Sequence, residues 1–165
     1  MARVLVAYGT KMGGTAGIAE RIADTLRGRG HQVTLASAGE VPREGNWDAA
    51  VVGSGVYVGR WRRDAVRLLR RLARGPQKPA RVWLFHGGPV GDDHADDPVP
   101  VPRKVQALAE RLGAEDVVTF GGRFRAEDAS GWMAKAMAKG GVLGDWRRLD
   151  HAEAWANTIA GELAQ

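Results

Sequence analysis

The sequence has 165 residues, of which 44% are hydrophobic and 26% are charged. This size and balance predict a single globular domain, residues 1–165, with a sizeable core. There is no cysteine, which excludes disulfides, thiolate metal sites and cysteine nucleophiles. The net charge of +5 suits nucleic acid, anionic lipid or an acidic small molecule equally well, so the charge alone selects no partner.

The amino-terminal segment becomes apolar directly after Arg3, without the charged and apolar regions of a signal peptide. No apolar run approaches the length that crosses a membrane. We therefore expect a cytoplasmic protein.

The first predicted element is a strand at residues 3–8, whose continuous apolar character is typical of a parallel strand covered on both faces. After Gly9 comes the loop Thr10-Lys-Met-Gly-Gly-Thr15, which leads directly into a helix. Main-chain N–H groups at such a turn can surround a phosphate at the positive end of the helix dipole. The loop therefore predicts an anion site at the carboxyl end of a central strand.

Three motif families compete for this loop. The nucleoside-triphosphate motif G-x-x-x-x-G-K-[ST] fails because Thr15 occupies the position of its lysine. The dinucleotide fingerprint G-x-G-x-x-G fails because its second glycine is missing. The loop instead has hydroxyl side chains at both ends and glycine at 13 and 14. This pattern suits the binding of one terminal phosphate monoester. An ordinary strand-to-helix turn without a ligand is the alternative.

A helix and a strand follow, at residues 15–29 and 31–36. Ile18, Ile22 and Leu26 share one face of the helix, which predicts that this face packs on the sheet. Residues 38–46 contain glycine, proline and acidic side chains, and we expect a connection there with at most a short helix.

The third strand, residues 48–53, leads into the loop Ser54-Gly-Val-Tyr-Val-Gly-Arg-Trp61. Its glycines let backbone amides approach a ligand, and Tyr57 and Trp61 could each stack on a flat ring. Tyr57 is the better candidate, because Trp61 could equally be the first core residue of the next helix.

That next helix runs to Arg74 and has two contrasting faces. Trp61, Ala65, Leu68, Leu69 and Leu72 follow a helical period and predict the buried face. The opposite face carries five arginines, at positions 63, 67, 70, 71 and 74. Solvated surface is the plain interpretation of such a face, and no nucleic-acid-binding motif accompanies it, so we expect no nucleic acid partner.

The fourth strand, residues 80–86, leads into a glycine-rich turn. Backbone donors from Gly87, Gly88 and Gly91 could hold the edge of a ring on which negative charge builds. His86 is a candidate proton donor, with a structural role as the alternative. The acidic stretch at 92–97 matches neither a calcium nor a zinc spacing, so we expect no metal there.

The remaining elements are a helix at 104–112, a strand at 116–120 and a last helix at 150–163. In the last helix we expect Ala154, Trp155, Ile159 and Leu163 to face inward. Residues 123–145 are harder to interpret, with a short helix expected near 132–139. Five strands alternating with helices predict an α/β fold, a doubly wound parallel sheet of order 2-1-3-4-5 with helices on both faces.

Several stretches together carry a family resemblance. The loop at 10–15 resembles the flavodoxin pattern [ST]-x-x-G-x-T, and the segments at 53–61, 83–91 and 144–150 are similar to flavodoxin-domain proteins. That group includes the flavodoxin-type, menaquinone-dependent protoporphyrinogen dehydrogenases. The resemblance covers nearly the whole chain and implies a flavodoxin-like fold with FMN as cofactor.

The resemblance also implies where FMN would bind. The phosphate would lie at residues from Thr10 to Thr15, and the ring between two walls. The phosphate group comprises Thr10, Lys11, Met12, Gly13, Gly14 and Thr15. The ring walls comprise Ser54, Gly55, Val56, Tyr57, Gly59, Trp61, His86, Gly87, Gly88 and Gly91.

The resemblance implies an oxidoreductase, and two classes remain open. The basic segment from Arg60 to Arg74 and the extra block at 123–145 depart from small acidic electron carriers, which favours a dehydrogenase or quinone reductase. A carrier without its own substrate is the alternative, and a binding module that has lost the flavin is a third. The basic helix could attract porphyrin propionates, an acidic redox partner or lipid headgroups at the inner face of the membrane.

Overall fold

The computed structural model describes most of the chain. The described residues are 1–10, 14–57, 59–76, 78–87, 99–114, 117–121, 123–124, 144–145 and 149–165. All statements below about the structure concern these residues.

The described part of the chain contains nine strands and four helices of the α type. The strands are β1 (Arg3–Gly9), β2 (Gln32–Ser37), β3 (Ala49–Ser54), β4 (Val56–Tyr57), β5 (Arg60–Trp61), β6 (Arg81–Gly87), β7 (Val117–Phe120), β8 (Arg123–Phe124) and β9 (Gly144–Asp145). The helices are α1 (Gly14–Gly28), α2 (Arg63–Arg74), α3 (Arg103–Leu112) and α4 (Leu149–Leu163), with a 3-10 turn at Ala38–Glu40.

The central sheet has five parallel strands in the order β2-β1-β3-β6-β7. Among the long strands of the chain this is the order 2-1-3-4-5, so the predicted flavodoxin-like topology is confirmed. The reversal of strand order lies between β1 and β3, where the two directions of winding separate. Open α/β sheets bind ligands beyond the carboxyl ends of the strands at such a point.

Two hydrophobic layers cover the sheet. On one side α1 and α4 pack on it, with Ile18, Ile22 and Leu26 fully or nearly fully buried, as their spacing predicted. On the other side α2 and α3 cover it, and the leucines of α2 lie in the same cluster as Leu5 and Leu84. Because helices cover both faces of the sheet, the central strands are apolar along their whole length.

The segment after β3 differs from the prediction. Residues 56–57 and 60–61 form two short antiparallel strands in which Val56 pairs with Trp61 and Tyr57 with Arg60, and we call them the hairpin. The helix therefore begins at Arg63, and Trp61 belongs to β5. Gly59 has φ +71°, a left-handed conformation that allows the tight turn. Trp61 is nevertheless buried, because the hairpin folds it onto the same apolar layer.

The last helix is also corrected in part. Ala154 is exposed, so its predicted inward orientation is wrong. The buried positions of α4 are Ala152, Ala156, Ile159 and Ala160, and Trp155 packs partly buried against them. At the ends of the block 123–145, β8 pairs with β9 in antiparallel fashion. The short helix expected at 132–139 and the acidic stretch at 92–97 lie outside the described residues.

Among the helices that the structure describes, none combines the length and the apolar character that crossing a bilayer requires.

Candidate functional site

Three parallel strands end side by side at one edge of the sheet. The register places Gly9 of β1 opposite Ser54 of β3, and Ser54 opposite His86 of β6. The N–H of Gly55 donates to the carbonyl oxygen of Gly9 at 2.9 Å, which extends the contact one residue beyond β3. The turns that follow these strands therefore start from neighbouring points.

Position 87 lies close both to the turn after β3 and to the start of α1. A Cβ added there would lie 3.7 Å from the Cα of Gly55 and 3.9 Å from the Oγ1 of Thr15. Thr15 is in the first turn of α1 and is only 4% exposed. The hydroxyl at the start of α1 thus lies close to both predicted ring walls, as one compact ligand site requires.

The predicted phosphate loop is described at its two ends. Thr10 follows β1 directly, and α1 begins at Gly14. The first turn of a helix has N–H groups that its own backbone does not use, at the positive end of the helix dipole. Together with the Thr15 hydroxyl, this donor set fits a phosphate. Lys11, Met12 and Gly13 lie outside the described residues.

The side chain of Ser54 holds the turn together. Its hydroxyl is fully buried, donates to the carbonyl oxygen of Gly55 at 2.7 Å and accepts from the N–H of Arg62 at 2.9 Å. Ser54 therefore connects the end of β3 to the residue before α2. These two bonds favour a structural role for this hydroxyl over a direct ligand contact.

Tyr57 folds back over the neighbouring glycine. A Cβ on Gly55 would lie 2.6 Å from the Tyr57 hydroxyl, so only glycine accommodates this ring position. The Arg62 guanidinium lies over the Tyr57 ring, with its Cζ 5.9 Å from the ring centre. Tyr57 is half-buried and lines a cavity of about 410 Å³ with Arg60, Trp61 and Arg62. An aromatic face next to open volume suits stacking on a flat ring.

Trp61 has a different position from Tyr57. It is 5% exposed, and its indole Nε1–H donates to Nδ1 of His86 at 3.2 Å. The Trp61 and His86 rings pack edge to face, with their centroids 6.1 Å apart. Burial in the core favours Trp61 as a support for the hairpin and leaves Tyr57 as the better stacking residue.

Both ring nitrogens of His86 have partners. An indole N–H can only donate, so Nδ1 of His86 accepts and the proton of the neutral ring lies on Nε2. That Nε2–H donates to the Oγ1 of Thr119 in β7, 3.1 Å away. The N–H of Val99 also approaches this oxygen, at 3.4 Å. His86 thus joins the hairpin, β6 and β7.

Burial lowers the pKa of His86 to about 4, and a hydrogen bond with the backbone of Val99 acts weakly in the opposite direction. The ring is 0% exposed. A neutral, enclosed imidazole with two internal hydrogen bonds favours a positioning role over proton delivery to a ligand. Gly87 continues β6 at the edge of the site, whereas Gly88 and Gly91 lie outside the described residues.

Sequence reasoning missed several residues of this site. In the sequence Thr119 is visible only as a residue that favours β-strands. Its hydrogen-bond partner, His86, is 33 positions away. Arg62 lies in the basic segment from Arg60 to Arg74, where the sequence does not distinguish it from the other arginines, yet its Nε is buried without a partner among the described residues. Asp64 lies 2.9 Å from the place where a Cβ on Gly9 would stand. The one available signal was the glycine at position 9, which allows α2 to approach β1 closely.

Comparison with known proteins agrees with this geometry. A family profile described as a flavodoxin domain matches residues 5–139, which is most of the chain. The chain belongs to the flavodoxin domain family. The matched region includes most of β1 and all of the segment from residue 10 to residue 91, and therefore every predicted contact residue.

Solved flavodoxins have the same fold. A flavodoxin from Streptococcus pneumoniae TIGR4 superposes with a TM-score of 0.62 at 19% identity, over 98% of this chain and 99% of that one. A flavodoxin from the domain Archaea gives 0.63 at 14% identity, over 99% of both chains. A flavodoxin mutant from Fusobacterium nucleatum, bound to flavin mononucleotide, gives 0.50 at 16% identity, over 72% of this chain and 68% of that one.

Proposed function

We propose that the protein binds FMN and works in electron transfer. The single observation that supports this most strongly is the meeting of the Thr15 hydroxyl, Gly55 and Gly87 at one edge of the sheet. This arrangement unites a phosphate-type donor set with two backbone walls. Membership of the flavodoxin domain family and the FMN-bound neighbour from Fusobacterium nucleatum support the same ligand.

In this proposal the phosphate is held at the start of α1, by Thr10, Gly14 and Thr15 with the intervening Lys11, Met12 and Gly13. The ring lies between residues 54–61 and 86–91, with Tyr57 as the stacking side chain. FMN supplies one- and two-electron chemistry when bound, and the protein holds and orients it. Ser54, Trp61 and His86 keep the walls in place through the hydrogen bonds described above.

The proposal extends to the type of reaction. We infer a dehydrogenase or quinone reductase, with protoporphyrinogen as a candidate substrate, because the net charge of +5 and the block at 123–145 differ from a small acidic carrier. Saturable consumption of protoporphyrinogen or a quinone by the FMN-loaded protein is the expected result. Rapid electron exchange with a ferredoxin reductase, without turnover of either compound, would instead support the carrier function.

Substitution of Thr15 tests the phosphate site. Thr15→Ala removes a hydroxyl that would hydrogen-bond a charged phosphate, so we expect the Kd for FMN to rise about tenfold or more while that for riboflavin changes little. Quenching of flavin fluorescence measures both constants. Thr25→Ala is the matched control, because Thr25 is on the same helix and its hydroxyl donates to the carbonyl of Arg21. Equal losses for FMN and riboflavin would contradict this placement.

A further inference from the structure

We propose that the arginines around α2 form a docking surface for an acidic protein that exchanges electrons with the flavin. We call them the arginine strip, which consists of Arg60, Arg62, Arg63, Arg67, Arg70, Arg71 and Arg74. The inference rests on the proposed function for the electron exchange, although not for the binding itself. It identifies the class of partner that this surface fits.

The packing of α2 turns its arginines outward. Ala65, Leu68, Leu69 and Leu72 are 0–6% exposed and hold the helix against the apolar layer over the sheet. The side chains between them must therefore point away from the core. Arg63, Arg67 and Arg74 are exposed, and Arg70 and Arg71 are half-buried.

The second half of the strip lines a cleft. Arg67, Arg70, Arg71, Arg74 and Gly75 line an open cleft of about 490 Å³. The Nη2 of Arg71 donates to the carbonyl oxygen of Val41 at 3.1 Å, which holds the Arg71 side chain at the wall of the cleft. Four guanidinium groups around one cleft make a concentrated positive potential.

This positive charge is not neutralised by the neighbouring described residues. No arginine of the strip forms a salt bridge to a described carboxylate, although Arg21, Arg27 and Arg81 elsewhere pair with Glu153, Asp24 and Glu162. The one acidic residue of α2, Asp64, accepts a hydrogen bond from the N–H of Ala65 at 2.8 Å. The strip therefore offers guanidinium groups that are not paired with a described carboxylate, and planar guanidinium donors match carboxylates in pairs.

A membrane surface fits the strip less well. Helices that bind bilayers insert apolar side chains, whereas the apolar side chains of α2 are in the core. Met1 is the one large hydrophobic residue that is exposed in the described part of the chain. Lipid attraction would thus rest on charge alone, without inserted apolar side chains.

The strip also leads to the proposed flavin. Arg60, Arg62 and Arg63 line the cavity that Tyr57 borders, and α2 extends about 18 Å from there. A small anion would fill only the cleft, whereas an acidic protein face could cover the whole strip. Such a partner would be held beside the ring wall, where electrons would be exchanged.

Binding to an acidic [2Fe–2S] ferredoxin, used as the probe, tests the surface. The Kd is measured by titration calorimetry with and without FMN. Each titration is done at about 50 and 150 mM salt, because the screening of exposed charges increases over this range. Arg67→Glu/Arg74→Glu should raise the Kd about tenfold at the lower salt. The control Arg27→Glu/Arg29→Glu makes the same change in net charge at the carboxyl end of α1 and just after it, across the sheet, and should raise the Kd less than about twofold. Melting curves confirm that both variants fold.

Equal weakening by both variants would overturn the proposal, since only net charge would then matter. Vesicles of phosphatidylcholine and phosphatidylserine that bind as tightly as the ferredoxin, with the same dependence on Arg67 and Arg74, would overturn it in favour of a membrane surface. Competition by inorganic triphosphate at concentrations near the ferredoxin Kd would favour a small-anion cleft and would also overturn it. Strip-dependent binding without any FMN uptake would refute the proposed function and leave the docking surface standing, whereas FMN uptake without strip-dependent binding would refute the surface alone.

Discussion

His86 shows how a single buried side chain can organise several loops. It accepts a hydrogen bond from Trp61 and donates one to Thr119, so three separate parts of the chain meet at one imidazole. Such a ring is satisfied only in its neutral form with the proton on Nε2. Its burial and lowered pKa therefore follow from the same arrangement.

The lowered pKa of His86 predicts how stability depends on pH. The native ring takes up a proton only near pH 4, whereas the unfolded ring does so near its ordinary pKa of 6.5. The unfolded state thus binds more protons between these values, and stability falls as the pH is lowered through this window. From pH 7.5 to 5.0 we expect this group to remove about 2 kcal/mol from the free energy of unfolding.

His86→Asn keeps an acceptor near the position of Nδ1 and removes the titration. Urea unfolding at both pH values should then show a smaller loss between them than in the unmodified protein. An identical pH dependence in the two proteins would mean that His86 is already protonated or exposed in the folded state.

At the scale of elements, the connection between β3 and α2 determines the position of the hairpin. The Ser54 hydroxyl bonds both to the carbonyl of Gly55 and to the N–H of Arg62. The hairpin β4–β5 lies between these two points. Its short strands bury Trp61 and leave Tyr57 at the cavity, so the connection sets where the proposed stacking residue stands.

Removal of the Ser54 hydroxyl should therefore destabilise the fold. Ser54→Ala leaves the buried Gly55 carbonyl and the Arg62 amide each without one partner, at a cost of about 1–3 kcal/mol. Chemical denaturation measures the change. Ser37→Ala is the control, because Ser37 precedes the 3-10 turn without a side-chain cap hydrogen bond, and its loss should stay within about 0.5 kcal/mol. Equal effects would indicate that the Ser54 bonds contribute nothing beyond a surface hydroxyl.

At the scale of the whole molecule, the proposed cofactor should bind the folded state alone. Its site unites residues from β1, β3 and β6, which are adjacent only after the sheet has formed. FMN at about 100 times its Kd should therefore raise the free energy of unfolding by about 2.7 kcal/mol. Urea unfolding measures this increase in the free energy of unfolding. Riboflavin at the same concentration, which lacks the phosphate, is the comparison. No increase with FMN would contradict the proposed site.

The whole molecule also separates its two kinds of surface. The proposed ligand site lies at the carboxyl ends of the strands, and the arginine strip runs from that edge along one covering helix. Because the sheet lies between α2 and α1, a change on one helix face leaves the other undisturbed. The paired variants on these two helices use this separation.

Local sequence patterns predicted the strand order and the buried faces of α1 and α2, which the structure confirms, whereas the phosphate loop at 10–15 stays a prediction. These features depend on periodicity and on short motifs, such as Ile18, Ile22 and Leu26 on one stripe, which neighbouring residues specify. The hairpin at 56–61 was missed because two-residue strands are too short to show a period. Its one local signal was Gly59.

The roles of the polar side chains became visible only in the folded protein. The bond from Trp61 to His86 spans 25 positions, and that from His86 to Thr119 spans 33. Spacing along the chain carries no information about such pairs, because they form only when the sheet brings its strand ends together. For the same reason the sequence predicted a stacking or core role for Trp61 without showing that its indole N–H fixes the orientation of His86.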